Sequence, residues 1–322
     1  MFRRVIQGLT VCISLSVSCF PAFAALVPPY FITAVVAIGG TQQVVEDGKE
    51  TSKWVTFGTG FFYGYLVQED SDPSKRKYAV FLVTAGHVIR PLVSNKQTSI
   101  SVRLDSVLSV GKSEQFEIPV SDWFFHSSPE VDLAAVPVPI EMLKLRGLQA
   151  GFFENDQHVF AKSGLIESGV SAGDGVFILG FPMSLAGRER NYVILRQGAI
   201  ARIAEYEDGK SISFLLDAFI FPGNSGGPVL LKPEIASIDG TKSNNRSVLV
   251  GVVSSYIPYI DTAFSAQTKR PRVTFEENSG LTQVVPVEFV NEMLKDRAEK
   301  IWSLEKERLL FPSPPQLEPL RR

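Results

Sequence analysis

Cysteine is almost absent: the chain has 2, Cys12 and Cys19, and both lie near its start. Once that segment is set aside, no thiol, disulfide or cysteine-based metal site is available, so a packed core has to hold the fold. Histidine is scarce too, with 3 in 322 residues, which confines any imidazole chemistry to His87, His126 and His158. No sign of charge dominates. The 32 Lys and Arg stand against 34 Asp and Glu, a formal net charge of −2, and the basic residues are scattered. Such a chain has no electrostatic footprint for a phosphate backbone, so nucleic acid is not an expected partner. Helical periodicity is nearly missing before Pro286, which argues against alternating β and α units.

The first 25 residues read MFRRVIQGLTVCISLSVSCFPAFAA. Two arginines, an apolar run from Val5 to Phe20, Pro21, then Ala22-Phe23-Ala24 before Ala25 give the order of a secretory signal peptide with a small-x-small cleavage site. An uncleaved anchor is the rival. The run is shorter than the roughly 20 apolar residues that span a bilayer, and a proline follows it. A lipoprotein site at Cys19 is a further alternative, though Ser16 occupies the position where such sites usually carry an aliphatic residue. The expectation is a signal peptide over 1–24, export to a periplasmic or secreted location, and no stable membrane insertion after cleavage.

Beyond it, short apolar runs rich in Val, Phe, Tyr and Thr are broken by Gly, Asp, Pro and Ser: AVVAIGG, WVTFGTGFFYGYLV, YAVFLVTAGHVI, DLAAVPV, then GDGVFILGFP, YVILRQGAIARIA, SISFLLDAFIF and SVLVGVVSSYI. These are strand signals and point to an all-β sandwich or barrel arrangement. Two β-domains of similar size are expected, over 25–155 and 156–286. The polar stretches 69–77, 232–246 and 261–279 read as exposed hairpin loops. After Pro286 the apolar residues Val290, Leu294, Ala298, Ile301 and Trp302 recur three or four apart, which predicts one amphipathic helix over 287–310. The Pro-rich tail 311–322 reads as disordered.

Ser225 lies in FPGNSGGPVLL, among three glycines and just before a strand. The pattern also satisfies G-x-S-x-G, the nucleophile turn of α/β-hydrolases, but there the histidine follows the serine. All three histidines here precede it. The order His, Asp, Ser directs attention to the first half. His87 closes VFLVTAGHV, where small residues let neighbours approach the ring, whereas His126 and His158 have no such setting and read as structural or exposed. Asp132 opens the apolar run VDLAAVPV.

TAGHV, VDLAAV and GNSGGPV resemble the three catalytic motifs of trypsin-like (chymotrypsin-fold) serine proteases, and most nearly those of the bacterial HtrA/Deg-type branch without a PDZ domain. GVFILGFP, GAIARI and VGVVSSYI extend the similarity over about 38–294. The resemblance implies an all-β fold of two six-stranded antiparallel β-barrels with a C-terminal α-helix. It also implies a catalytic set in which Ser225 attacks a peptide carbonyl, His87 moves the proton and Asp132 holds the imidazole. The N–H groups of Gly223 and Ser225 would form the oxyanion hole.

Some positions depart from the family. Asn224 replaces the aspartate that pairs with a new N-terminus in the digestive enzymes, so no activation of that kind is expected. Phe219 stands where trypsin has its acidic specificity residue, which favours small or medium apolar residues at the cleaved position. Ser254, Ser255 and Tyr256 would wall the same pocket, and the tyrosine ring could narrow or close it. The expected partner is a protein or peptide substrate, with no cofactor and no metal; the oligomeric state is not implied. The alternative is an inactive or latent protein of the same fold that binds a peptide or protein.

Overall fold

A computed structural model describes residues 26–46, 49–234 and 242–310. The expected signal peptide, the proposed tail and part of the polar stretch 232–246 lie outside the described residues.

Strands dominate because the apolar runs are rich in residues that suit a pleated, half-buried surface. Eight of them build the first sheet: β1 (Val35–Glu46), β2 (Lys49–Gln68), β3 (Lys77–Thr84), β4 (Ser99–Asp105), β5 (Ser113–Pro119), β6 (Phe124–Phe125), β7 (Ala134–Pro137) and β8 (Phe153–Glu154). The order is β5-β4-β1-β2-β3-β7-β6, and β8 pairs with β2 in parallel. Among the described residues this half is a curved, open sheet, not the closed six-stranded barrel that the family resemblance implied. Two-residue β6 and β8 are too short to complete a ladder around the core.

The second half closes. Its strands are β9 (Gly175–Gly180), β10 (Ile194–Arg202), β11 (Phe214–Asp217), β12 (Pro228–Leu231), β13 (Val248–Phe264) and β14 (Pro271–Pro286), in the order β10-β11-β14-β13-β12-β9. The protein is therefore mostly β, with a half-barrel sheet, a closed six-stranded barrel and a C-terminal helix (Val287–Leu310), a chymotrypsin-like arrangement.

Two local readings need correction. The run ending in HVI is not strand to its end, since Gly86–Ser94 forms a helix directly after β3. Its apolar residues Val88, Ile89 and Leu92 fall at helical spacing and are buried, and tertiary packing of that face decides the outcome. The stretch 261–279 is not a loop: most of it belongs to β13 and β14, which run on beyond the barrel as a two-stranded ribbon. Only from Arg272 to Glu276 do polar and apolar residues alternate with the period of a strand.

Three apolar clusters organise the interior. One fills the first half around Ile38, Phe62, Leu82 and Ile89, and another fills the barrel around Ile178, Leu216, Val229 and Val253. The third joins the halves: Phe61 and Phe81 of the first pack with Leu179 and Leu230 of the second and with Val287, Val290, Leu294 and Ala298 of the C-terminal helix. That helix is tied to β2 by the Tyr63 hydroxyl, which donates to Asn291 Oδ1 at 2.7 Å. The burial of the shared cluster fixes the relative position of the two halves, and the candidate site lies where they meet.

Candidate active site

His87 sits in the first turn of the helix Gly86–Ser94, immediately after β3. Its ring Nδ1 lies 2.7 Å from Asp132 Oδ2, and its backbone N–H donates to Asp132 Oδ1 at 2.8 Å. Gly86 makes this approach possible: a Cβ there would press against Asp132 Oδ1 at 2.9 Å and Arg90 Nη1 at 2.8 Å. Two more groups hold the carboxylate. Ser254 Oγ donates to Oδ2 at 2.8 Å, and Arg90 Nη1 donates to Oδ1 at 3.1 Å. Burial pushes the Asp132 carboxyl up, but the hydrogen bonds and charge of His87, with the bond from Ser254, outweigh it and hold the group below the usual carboxylate range.

Ser225 comes from the other half, on the loop between β11 and β12. Of the five consecutive amides from residue 223 to 227, three bond inward: Asn224 to Phe221 O (3.0 Å), Gly226 to Val253 O (2.8 Å) and Gly227 to Asn224 O (2.9 Å). The N–H groups of Gly223 and Ser225 have no acceptor among the described residues. Two free donors flanking one serine hydroxyl are what a developing oxyanion needs. Both flanking glycines have positive φ, +101° at Gly223 and +82° at Gly226, a region that other residues enter at a cost. A Cβ at Gly226 would also collide with Thr84 Oγ1 and the Thr59 carbonyl.

Thr59 of β2 clamps this loop from the first half. It is fully buried. Its N–H donates to Ser225 O at 2.8 Å, its hydroxyl donates to Gly223 O at 2.6 Å, and the same hydroxyl accepts from the Phe181 N–H at 3.1 Å. Asn224, also fully buried, closes the loop from within, its Oδ1 accepting from the Phe221 N–H at 3.1 Å. A neutral side chain thus shapes the turn locally.

The Ser225 hydroxyl donates to Ser254 O at 3.2 Å and not to His87. The structure therefore brings His87, Asp132, Ser254 and Ser225 together, with the serine hydroxyl turned toward the strand. Tyr256 is half-buried; its hydroxyl donates to Glu276 Oε1 at 2.7 Å, and that carboxylate, with some burial, keeps the phenol above its ordinary range. Ser255 is exposed. Phe219 is 51% exposed, and its ring lies against Gly280 of β14.

The remaining histidines are elsewhere. His126 is buried edge-on to Phe289, and His158 lies against Phe31. Arg90 and Thr59 were not foreseen. Arg90 follows His87 by three residues, one helical turn, so a helix over HVIR would have placed both on one side. Thr59 carries no local signal, because its role depends on a contact with a loop far along the chain.

Residues 58–233, more than half of the chain, match the family model described as a trypsin-like peptidase domain. No curated protein matches significantly. Among solved structures, the crystal structure of Deg5 is 18% identical, covering 81% of this chain and 86% of that one at a TM-score of 0.41. Human heparin binding protein is 13% identical, covering 90% of this chain and 97% of that one at a TM-score of 0.42. TM-scores this low carry no conclusion of their own.

Proposed function

The chain belongs to the trypsin-like peptidase family and is a serine protease, and from that premise we propose that it is an exported endopeptidase that cuts through an acyl-enzyme on Ser225. His87 takes the serine proton and returns it to the leaving amine, while Asp132 holds the ring by Nδ1 and stabilises its charged form. The oxyanion is held by the Gly223 and Ser225 N–H groups. The observation that carries this reading is the pairing of His87 with a carboxylate bound by four donors, beside a serine flanked by two unused amides.

The substrate is protein or peptide. Phe219, lying on Gly280, offers an uncharged surface that supports a preference for small or medium apolar residues at the cleaved position. The division of labour follows domain units over 25–155 and 156–286, with the C-terminal helix bracing both. Export rests on the arginines, apolar run and Ala22-x-Ala24 pattern of residues 1–24; among the described residues no helix is long and apolar enough to cross a membrane.

A second reading draws support from the Ser225 hydroxyl. Turned to Ser254 O, it is the rotamer of a latent state, and attack requires rotation toward His87. Incubation with unfolded protein and with internally quenched peptides separates the two: the endopeptidase yields fragments, and Ser225→Ala yields none. A folded wild-type protein that cuts nothing yet binds peptide would establish the latent or binding role instead.

A further inference from the structure

The loop 181–193, between β9 and β10, runs from the serine turn to the outer face of the first half, and it is anchored at both ends. At one end the Met183 N–H donates to Pro222 O at 2.7 Å. That carbonyl and the Gly223 N–H belong to one planar trans peptide unit, so they point in opposite directions and fixing the first aims the second. A Cβ at Gly223 would fall 2.3 Å from Phe181 O, so the start of the loop backs this unit closely. Ser184 ties the same end to β2, its hydroxyl accepting from the Thr56 N–H at 3.1 Å and donating to Thr56 O at 3.3 Å.

The other end is held by β4. Ile100, Val102 and Leu104 fill the first core, so strand alternation sends Arg103 and Asp105 to the opposite face, against the loop. Arg103 is 3% exposed. Its Nη1 donates to Gly187 O at 2.8 Å, its Nη2 to Arg188 O at 2.9 Å, and its Nε to Ser113 Oγ. Asp105 takes the next residues, Oδ2 accepting from Arg190 Nε at 3.1 Å and Oδ1 from the Asn191 N–H at 2.6 Å. A guanidinium buried on neutral oxygens is costly to desolvate, and its removal would leave two carbonyls without their partner.

Between the anchors the loop is stitched to itself. Leu185 N–H donates to Pro182 O at 3.0 Å, Ala186 N–H to Ser184 O at 2.8 Å and Tyr192 N–H to Ala186 O at 3.0 Å. Met183 and Ser184 stand at φ +54° and +58°, a left-handed pair of non-glycine residues that persists only where its surroundings impose it. Release of the far end would let that pair relax and the Pro222 carbonyl turn.

We propose that Arg103 is a positioning residue for proteolysis: through the loop 181–193 it holds the Pro222–Gly223 peptide with its N–H toward the oxyanion. It acts through the loop and not on the reacting atoms. Asp105 and Ser113 support it. The proposal rests on the protease reading and adds a first-half residue to the control of the oxyanion hole.

The test compares wild type with Arg103→Met, which keeps the length and loses the fork, and with Arg103→Lys, whose point charge cannot bridge two carbonyls. Both should lower kcat about tenfold or more while KM stays within about twofold, because the oxyanion forms only after substrate is bound. The acid limb of the pH profile, which follows His87, should stay in place. Val102→Ala, on the core face of the same strand, controls for stability: it should lower the melting temperature yet keep kcat within about twofold. Hydrogen exchange read by mass spectrometry should be faster over both 181–193 and 221–226 in Arg103→Met than in Val102→Ala. Unchanged kcat in the Arg103 variants, a loss carried by KM, an equal loss in Val102→Ala, or faster exchange confined to 187–191 overturns the proposal. If Arg103→Met is not recovered folded, Ser113→Ala decides in its place, since it removes the Nε partner and the hydroxyl bond to Glu189 O at 3.0 Å. A kcat loss of about threefold at unchanged KM is then expected, and no loss contradicts the proposal. If folded wild type cleaves no peptide, the protease reading fails separately, and the exchange measurement alone decides whether Arg103 holds the Gly223 turn.

Discussion

The two halves solve different problems. The first is an open sheet whose end delivers an imidazole and a carboxylate, both held by hydrogen bonds to defined backbone or side-chain atoms. The second is a closed barrel whose loop presents a serine on a turn that only glycines can form at two points. Rigidity in the first comes from side-chain bonds around Asp132, and in the second from backbone shape. Neither half holds the whole proposed site. Thr59 and Ser254 cross between them, one reaching from β2 to the serine loop and the other from β13 to the carboxylate.

The largest effect should come from breaking the first half's contribution. Asp132→Asn keeps the shape but removes the charge and favours the wrong tautomer of His87, which should lower kcat on the order of ten-thousandfold, with a modest fall in the melting temperature at neutral pH from the lost charge-assisted bonds. Steady-state kinetics beside a thermal scan checks it. On the second half, Gly226→Ala should lower both activity and stability. The positive φ alone costs roughly 1–2 kcal/mol, and the collision with Thr84 and Thr59 adds to it, so urea midpoints should fall clearly.

The crossing contact should give an intermediate effect. Thr59→Val leaves the Phe181 N–H and the Gly223 carbonyl without their buried partner, at a cost of about 1–3 kcal/mol. Because Gly223 lines the proposed oxyanion hole, kcat should fall more than substrate binding weakens, which separate kcat and KM values reveal.

The smallest effect is one of pH. Asp132 has its folded value lowered, so the unfolded chain takes up its proton first as pH falls. Stability from this group is present above the ordinary aspartate value near ~4 and is lost as pH drops through the lower folded value. Denaturation midpoints should decline over that window in wild type and less so in Asp132→Asn.

Much of this organisation was legible in residue order. The strand runs and the C-terminal helix follow from periods of two and of three to four, and the motifs around His87, Asp132 and Ser225 carry their own small-residue surroundings. What escaped was long-range. The ribbon read as a loop because Asp261 and the pair Glu276-Glu277 stand directly beside Ile260 and Phe275, and a strand without a buried face has no apolar run to mark it. The open first half was hidden because closure depends on the length of β6 and β8, and sequence patterns place strand ends poorly. Thr59 acts on atoms of the distant Ser225 loop, so no local pattern names it, and Arg90 was hidden because HVIR read as the end of a strand and not as the first turn of a helix.

The most direct test of the central claim, that His87 and Asp132 of one half activate Ser225 of the other, is the rate of phosphonylation by a fluorophosphonate probe, followed by intact mass and peptide mapping. The account predicts a single adduct on Ser225 in wild type and a rate at least about a thousandfold lower in His87→Ala. A folded wild-type protein that stays unlabelled, or an adduct on Ser225 formed as fast without His87, would contradict it.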